Sequence, residues 1–193
     1  MFLAHRPSPG DIERFLDISR ELPLSYAPAG LARTGAPGFR IDEHVVAIGA
    51  GDATFARATA ALVEWRHFDL GWVTLHPRQA GITDGTVVAV AIRHFGFWSL
   101  NGCRVVYSTA DSRESRLGFA YGTLTNHAEC GEEIFEVRLH PRTGEVTYRI
   151  RAVSRPRAPL ARLGYPLTRL LQARFRRDSA AAVRRAISSA PER

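Results

Sequence analysis

Between residues 104 and 155 this 193-residue chain carries side chains whose types and spacing suit acid–base or ligand-anchoring chemistry. Glu133 shares strand parity with Phe135, Val137 and Leu139, whereas Glu132 goes with Glu136 and Arg138, so Glu133 turns inward with the apolar set. A carboxylate facing an apolar interior is costly unless paired, and burial raises its pKa. Glu133 is therefore a candidate acid, base or ligand anchor, or else an inward glutamate neutralised by an arginine. Phe119, Tyr121 and Thr123 alternate with Gly118, Ala120 and Gly122, which turns the large side chains inward and lets the Tyr121 phenol orient a polar group. The register with the next strand is not fixed by sequence, so the opposite facing stays open. His127, in the connection from Thr125 to Cys130 at the same end, is either solvated or a proton carrier. Arg104 shares parity with Val106 and Ser108, and its face is open. Arg155, just before Pro156, is placed to pair with Glu133 or to cap carbonyls at a sheet end. For both arginines a structural role comes first.

Other motifs carry less. Val45 to Gly51 followed by a helix resembles a dinucleotide-binding turn, but Thr54 stands where the third glycine belongs and no βαβ alternation follows. A tight turn with Asp52 capping a helix explains the same residues. Cys103 and Cys130 are too few for a disulfide framework and sit in no zinc-binding spacing. No Ser-His-Asp order or phosphate loop is present, and no cofactor is expected.

The elements that must hold these side chains can be read from periodicity. Ser8 before Pro9, with Asp11 next, marks a helix over about 9–20 whose face carries Ile12, Phe15, Leu16 and Ser19. Residues 23–38 read as a loop, and Phe39 to Ile48 as a strand. A helix then carries Phe55, Ala58, Ala61, Leu62 and Trp65 at three- and four-residue spacing. Six strand patterns follow, Phe68 to Leu75, Thr86 to His94, Gly102 to Ser108, Leu117 to Leu124, Glu132 to Leu139 and Glu145 to Val153. Thr83-Asp84-Gly85, Asn101-Gly102 and Pro141 to Gly144 are the turn signals between them. From Leu160 a long helix shows Leu163, Leu167, Leu170, Leu171, Phe175, Val183 and Ile187 on one side and arginines elsewhere, with Pro166 bending or restarting its first turns.

These elements predict an α+β helix-grip fold: a curved antiparallel sheet of about seven strands wrapped around a long C-terminal helix, with one or two shorter helices near the N-terminus. Residues 1–38 read as an N-terminal helix and loop extension, and 39–190 as the helix-grip unit of a single domain. A cavity between sheet and helix is the expected place for a small apolar ligand.

Gly49-Ala50-Gly51 with Phe55 and Trp65, Cys103 to Tyr107, Gly118 to Leu124, His127 with Gly131 to Phe135, and Ser154-Arg155-Pro156 occur in the order of one family's motifs. In these residues the chain resembles, over nearly its whole length, the bacterial and plant family catalogued as domain of unknown function nineteen-ninety. It departs at Asn126, where a glycine is expected before the histidine. The resemblance implies a place among START-like, birch-pollen-allergen-like and polyketide-cyclase-like (SRPBCC) folds, and no established activity.

Composition narrows the classes further. With 45% hydrophobic and 23% charged residues, disorder and fibrous repeats are excluded. No apolar run reaches the length of a membrane helix, and no secretory leader is read, so a cytoplasmic address is the expectation. All 26 basic residues are arginine. From Arg155 onward ten arginines face only Asp178 and Glu192, whereas the preceding residues hold sixteen arginines against seventeen acids. A basic helix can be a phosphate or anionic-lipid footprint, but a solvated face is the commoner cause, and no specific nucleic-acid binding is expected. The expected function is binding of a small apolar or amphipathic molecule through Tyr121, Glu133, Arg104, His127, Phe119 and Arg155. The alternatives are a polyketide-cyclase-like enzyme, with Glu133 or His127 moving a proton while Tyr121 or Arg104 holds an oxyanion, and an adaptor docking through the basic helix. Oligomeric state stays open.

Overall fold

The computed structural model of the chain describes residues 1–111, 115–157 and 165–189. The elements are β1 (Phe2–Leu3), α1 (Pro9–Arg20), α2 (Leu31–Thr34), β2 (Arg40–Ala50), α3 (Asp52–Val63), a 3-10 turn (Arg66–Phe68), β3 (Val73–His76), β4 (Val87–Arg93), β5 (Trp98–Asp111), β6 (Arg116–Thr123), β7 (Glu129–Leu139), β8 (Glu145–Pro156) and the C-terminal helix α4 (Tyr165–Ser189). All pairings are antiparallel. The sheet runs β2-β8-β7-β6-β5-β4-β3, and the short β1 adds beside β5. This is the helix-grip architecture. No helix among the described residues is long and apolar enough to cross a membrane.

Local chemistry explains the boundaries. At α1 the Asp11 amide donates to Ser8 Oγ while the Ser8 amide donates back to the Asp11 carboxylate, a reciprocal cap that starts the helix where the sequence places it. At α3 the cap is Gly51, at φ 82, and Asp52 is the first helical residue; no side chain closes this end. The expected strand from Phe68 to Leu75 is shorter and starts later. Gly71 at φ 74 interrupts the extended run, and Phe68 is buried from a 3-10 turn instead. Asn101-Gly102 is not a turn. It lies inside β5, with Gly102 opposite Ala89, and a Cβ on Gly102 would stand 2.3 Å from Asn126 Oδ1. That glycine serves close approach of the 124–128 connection, and the reversal occurs at His94 to Phe97.

Two layers cover the sheet. On the concave side one core holds Trp65, Phe68, Phe119, Phe135, Tyr148, Val183 and Ile187. On the convex side α1 packs Phe15 and Leu16 on Ala89, Ala91 and Leu100, while Leu31 and Ala32 of α2 pack on Ala120, Ile134 and Val153. Helix α4 is unevenly seated. Its second half buries Ser179, Ala180, Ala182, Val183 and Ile187, whereas Leu171 and Phe175 are only partly buried and Leu167 and Leu170 are exposed. The expected helix residues Leu160 and Leu163 lie outside the described residues. The less buried first half of α4 instead lines a space between helix and sheet.

Candidate functional site

That space is a cavity of about 840 Å³. Its walls are mainly apolar, with Phe68, Trp72, Val90, Ile92, Leu171 and Phe175 among them, and polar groups gather where β6 and β7 pass under α4. The register there pairs Tyr121 with Glu133 and Phe119 with Phe135, and all four lie on the concave face, in the core or lining the cavity, so the large side chains of β6 turn inward. Tyr121 O–H donates to Glu133 Oε2 at 2.8 Å. Both residues line the cavity.

Burial pushes the Glu133 carboxyl up to about 7, against a usual value of 4.5. The Tyr121 hydrogen bond and the positive charge of Arg176 act to lower it, while the neighbouring Glu129 and Asp42 act to raise it. The Tyr121 phenol is itself driven well above its usual value by burial and by Glu133. Glu129, four residues before Glu133 on the same face of β7, is raised by burial as well, and Gln172 donates to both its oxygens at 2.8 Å. Arg169 grips the carboxylate of Asp42 and also donates to Gln172. Arg176 stands 3.9 Å from Asp42. The polar corner thus combines three carboxyl groups from β2 and β7 with two guanidinium groups and an amide from α4.

His127 lines the cavity at the same end. Its Nδ1 accepts the Glu129 amide at 2.9 Å, so the neutral ring carries its proton on Nε2. Burial and the nearby terminal ammonium lower its pKa to about 3, which makes it a neutral donor at physiological pH.

Three expected ligand residues belong elsewhere. Phe119 faces inward as read but lies beneath the cavity, fully buried against Trp65 and Phe135 at ring distances of 4.6 and 5.5 Å. Arg104 is on the convex side, because Cys103 and Val105 occupy the core face of β5; it donates to the carbonyls of Arg20 and Leu22 at 2.9 and 3.0 Å. Arg155 is exposed with its guanidinium 4.6 Å from the Phe39 ring, and the place beside Glu133 is taken by Arg176. The missed polar residues had a usable signal. Glu129 repeats the parity of Glu133, and Arg169, Gln172 and Arg176 fall on one helical face by their spacing. His67 had none. It is fully buried, its ring nitrogens have no partner among the described residues, and it stacks on Trp65 at 5.5 Å, with burial lowering its pKa to about 3. Asn126, the departure from the family pattern, donates to Ser19 Oγ at 2.7 Å and ties the 124–128 connection to α1. Among the described residues no three His, Cys, Asp or Glu side chains converge as metal ligands.

A curved antiparallel sheet, a long C-terminal helix and a cavity between them define the helix-grip fold. A crystal structure from Thermus thermophilus shares this fold, with a TM-score of 0.53 at 11% identity over 80% of this chain and 99% of that one. The profile described as "Domain of unknown function (DUF1990)" matches residues 25–182, and the chain belongs to that family. It is 32% identical to a "UPF0548 protein" of Dictyostelium discoideum over 209 aligned residues, covering 98% of this chain and 97% of that protein. It is 34% identical to a "UPF0548 protein" of Arabidopsis thaliana over 151 residues, covering 76% and 72%. An amoebal relative widens the family beyond bacteria and plants.

Proposed function

We propose that the protein binds an amphipathic small molecule in the cavity between sheet and α4, its apolar body against Phe68, Trp72, Ile92 and Phe175 and its polar end at Glu133, Tyr121, His127 and Gln172. The observation that carries this reading is an apolar cavity of about 840 Å³ with its polar groups gathered in one corner. Such a volume suits a ligand of drug-like size. The expected result is saturable, one-site binding of the neutral fluorophore N-phenyl-1-naphthylamine. Leu171→Trp, which places an indole in the cavity, should abolish it while leaving the thermal unfolding transition cooperative. Failure of the unaltered protein to bind this or any related apolar fluorophore overturns the reading.

A second reading, proton-transfer catalysis, is favoured by one observation, the Glu133 carboxyl at about 7. Glu133 is then the proton carrier. Tyr121 already directs its single O–H at Glu133, and Arg104 is on the far side of the sheet, so neither is placed to hold an oxyanion. The partners of the described α4 arginines weigh against the adaptor reading. In α4, Arg169 and Arg176 turn to Asp42, Arg174 and Arg177 to Asp178, and Arg184 and Arg185 to the carbonyls of Ala47 and Asp69.

A further inference from the structure

Exposed apolar side chains concentrate around the cavity mouth. Phe95 is 76% exposed and Leu170 is 68% exposed, and Phe2, Phe97 and Leu167 are also exposed while lining the cavity. They come from three segments that frame the opening: β1, the β4–β5 hairpin tip and the first turns of α4. The tip is well defined. The His94 amide donates to the Phe97 carbonyl at 2.8 Å, Gly96 at φ 97 makes the reversal, and His94 stacks on Phe97 at 4.5 Å. Phe97 in turn lies 6.0 Å from Phe2, so the aromatic rim is continuous from the hairpin to β1.

The same three segments are electrostatically one-sided. Residues 1–8, 93–99 and 165–175 contain no Asp or Glu. Arg169 and Arg174 are engaged with Asp42 and Asp178, but Arg93 is exposed at the base of the hairpin, opposite Trp98 in register, and Arg6 lies 6.0 Å from that Trp98 ring. Neither Arg6 nor Arg93 has a carboxylate within ion-pair distance among the described residues. Apolar tips flanked by unpaired arginines match the interface of an anionic bilayer, which takes aromatic side chains below the headgroups and cations at the phosphates.

We propose that the rim of Phe95, Phe97, Phe2 and Leu170, with Arg6 and Arg93, docks the cavity mouth on an anionic lipid bilayer, so that the ligand passes between membrane and cavity without crossing water. This rests on the ligand-binding reading above. It assigns no role to the arginines of the second half of α4.

The test is flotation of the full chain with vesicles of phosphatidylcholine alone and of three parts phosphatidylcholine to one part phosphatidylglycerol. Binding to the mixed vesicles should exceed binding to the neutral ones, and Phe95→Ser should lower it by roughly tenfold, the loss expected for one apolar ring. Arg93→Gln should lower it by about fivefold. Arg184→Gln should leave it unchanged. Neither Phe95 nor Arg93 lines the cavity, so both variants should keep wild-type affinity for N-phenyl-1-naphthylamine in solution. That measurement separates a failed docking surface from a failed cavity. Absence of wild-type binding to either vesicle, or binding indifferent to Phe95→Ser, overturns the proposal. So does self-association in sedimentation velocity that Phe95→Ser abolishes, since a second copy then covers the rim.

Discussion

Glu132 and Glu133 are neighbours in the chain and sit on opposite faces of the same strand, and their surroundings differ as much as two carboxylates' can. Glu132, 2% exposed on the convex side, accepts hydrogen bonds from Tyr26 O–H at 2.6 Å, Tyr107 O–H at 2.7 Å, the Gly30 amide at 2.9 Å and the Ala32 amide at 3.1 Å. Every donor but Tyr107 belongs to the 22–36 segment, so this carboxylate fastens that segment to the sheet. The fit is close. A Cβ on Gly122 would stand 2.2 Å from the Tyr26 hydroxyl oxygen. Glu133 receives one side-chain hydrogen bond among the described residues, from Tyr121, and opens on a cavity. A carboxylate with four donors is complete within the fold. One with a single donor and an ionisation near neutrality is suited to meeting something else.

The largest expected effect follows from removing the complete one. Glu132→Gln keeps the shape but turns an amide N–H₂ toward donors, and the cost should be about 3–5 kcal/mol, as for breaking a buried charged network. Urea unfolding measures it. A cost below about 1 kcal/mol would mean that the convex segment holds without this anchor, and the contrast between the two glutamates would collapse.

Glu133→Gln should act in the other direction. The folded protein holds the Glu133 proton up to about pH 7, whereas the unfolded chain releases it near 4.5. Stability contributed by the protonated carboxyl is therefore fully present below 4.5 and is lost as pH rises through 7. The variant cannot ionise, so above pH 7 it should be more stable than the wild type, by at most about 3 kcal/mol from the size of the shift. Equal stability of the two proteins from pH 5 to 9 would show that Glu133 ionises normally.

Histidine supplies a third contrast, with the opposite sign. His67 ionises near 3 in the folded protein and near 6.5 in the unfolded one, so its contribution is present above 6.5 and is lost as pH falls toward 3. Among the described residues its ring nitrogens are unpartnered in an aromatic box, so His67→Leu should stabilise the protein by about 1–2 kcal/mol at pH 7 and more below pH 6. Thermal unfolding across pH tests this. Destabilisation at both pH values would mean that the ring's packing outweighs its unmet polarity.

What was legible in the sequence follows the same division. Period-two alternation placed Glu133, Phe135, Val137 and Leu139 on the core face, because a strand offers only two faces and one must be apolar. The α1 boundaries were legible from Ser8 and Asp11, whose chemistry is local. The facing of Tyr121 needed the β6–β7 register, and that of Arg104 the second layer on the convex side, both set by contacts distant in sequence. Parity turns Glu132 outward, yet the 22–36 segment covers it. An outward side chain is exposed only where nothing else packs, and no local pattern records where a loop lies down. The cavity was missed in its polar detail for the same reason: Arg169 and Gln172 meet Asp42 and Glu129 only after α4 crosses the sheet.

The smallest expected effect tests whether the two faces are independent. Arg104 lies on the convex side and caps the carbonyls of Arg20 and Leu22, at the end of α1 where the helix dipole favours a cation. Arg104→Met keeps the length and apolar stem of the side chain and removes the charge and both hydrogen bonds. The cost should be about 1 kcal/mol, read from urea unfolding, since the carbonyls regain water as the guanidinium leaves. Affinity for N-phenyl-1-naphthylamine should not change, because β5 separates Arg104 from the cavity and the core residues Cys103 and Val105 stay in place. A tenfold loss of affinity with the same modest loss of stability would be the informative failure. It would mean that α1 and the 124–128 connection, joined through Asn126 and Ser19, transmit the state of the convex layer to His127 at the cavity wall.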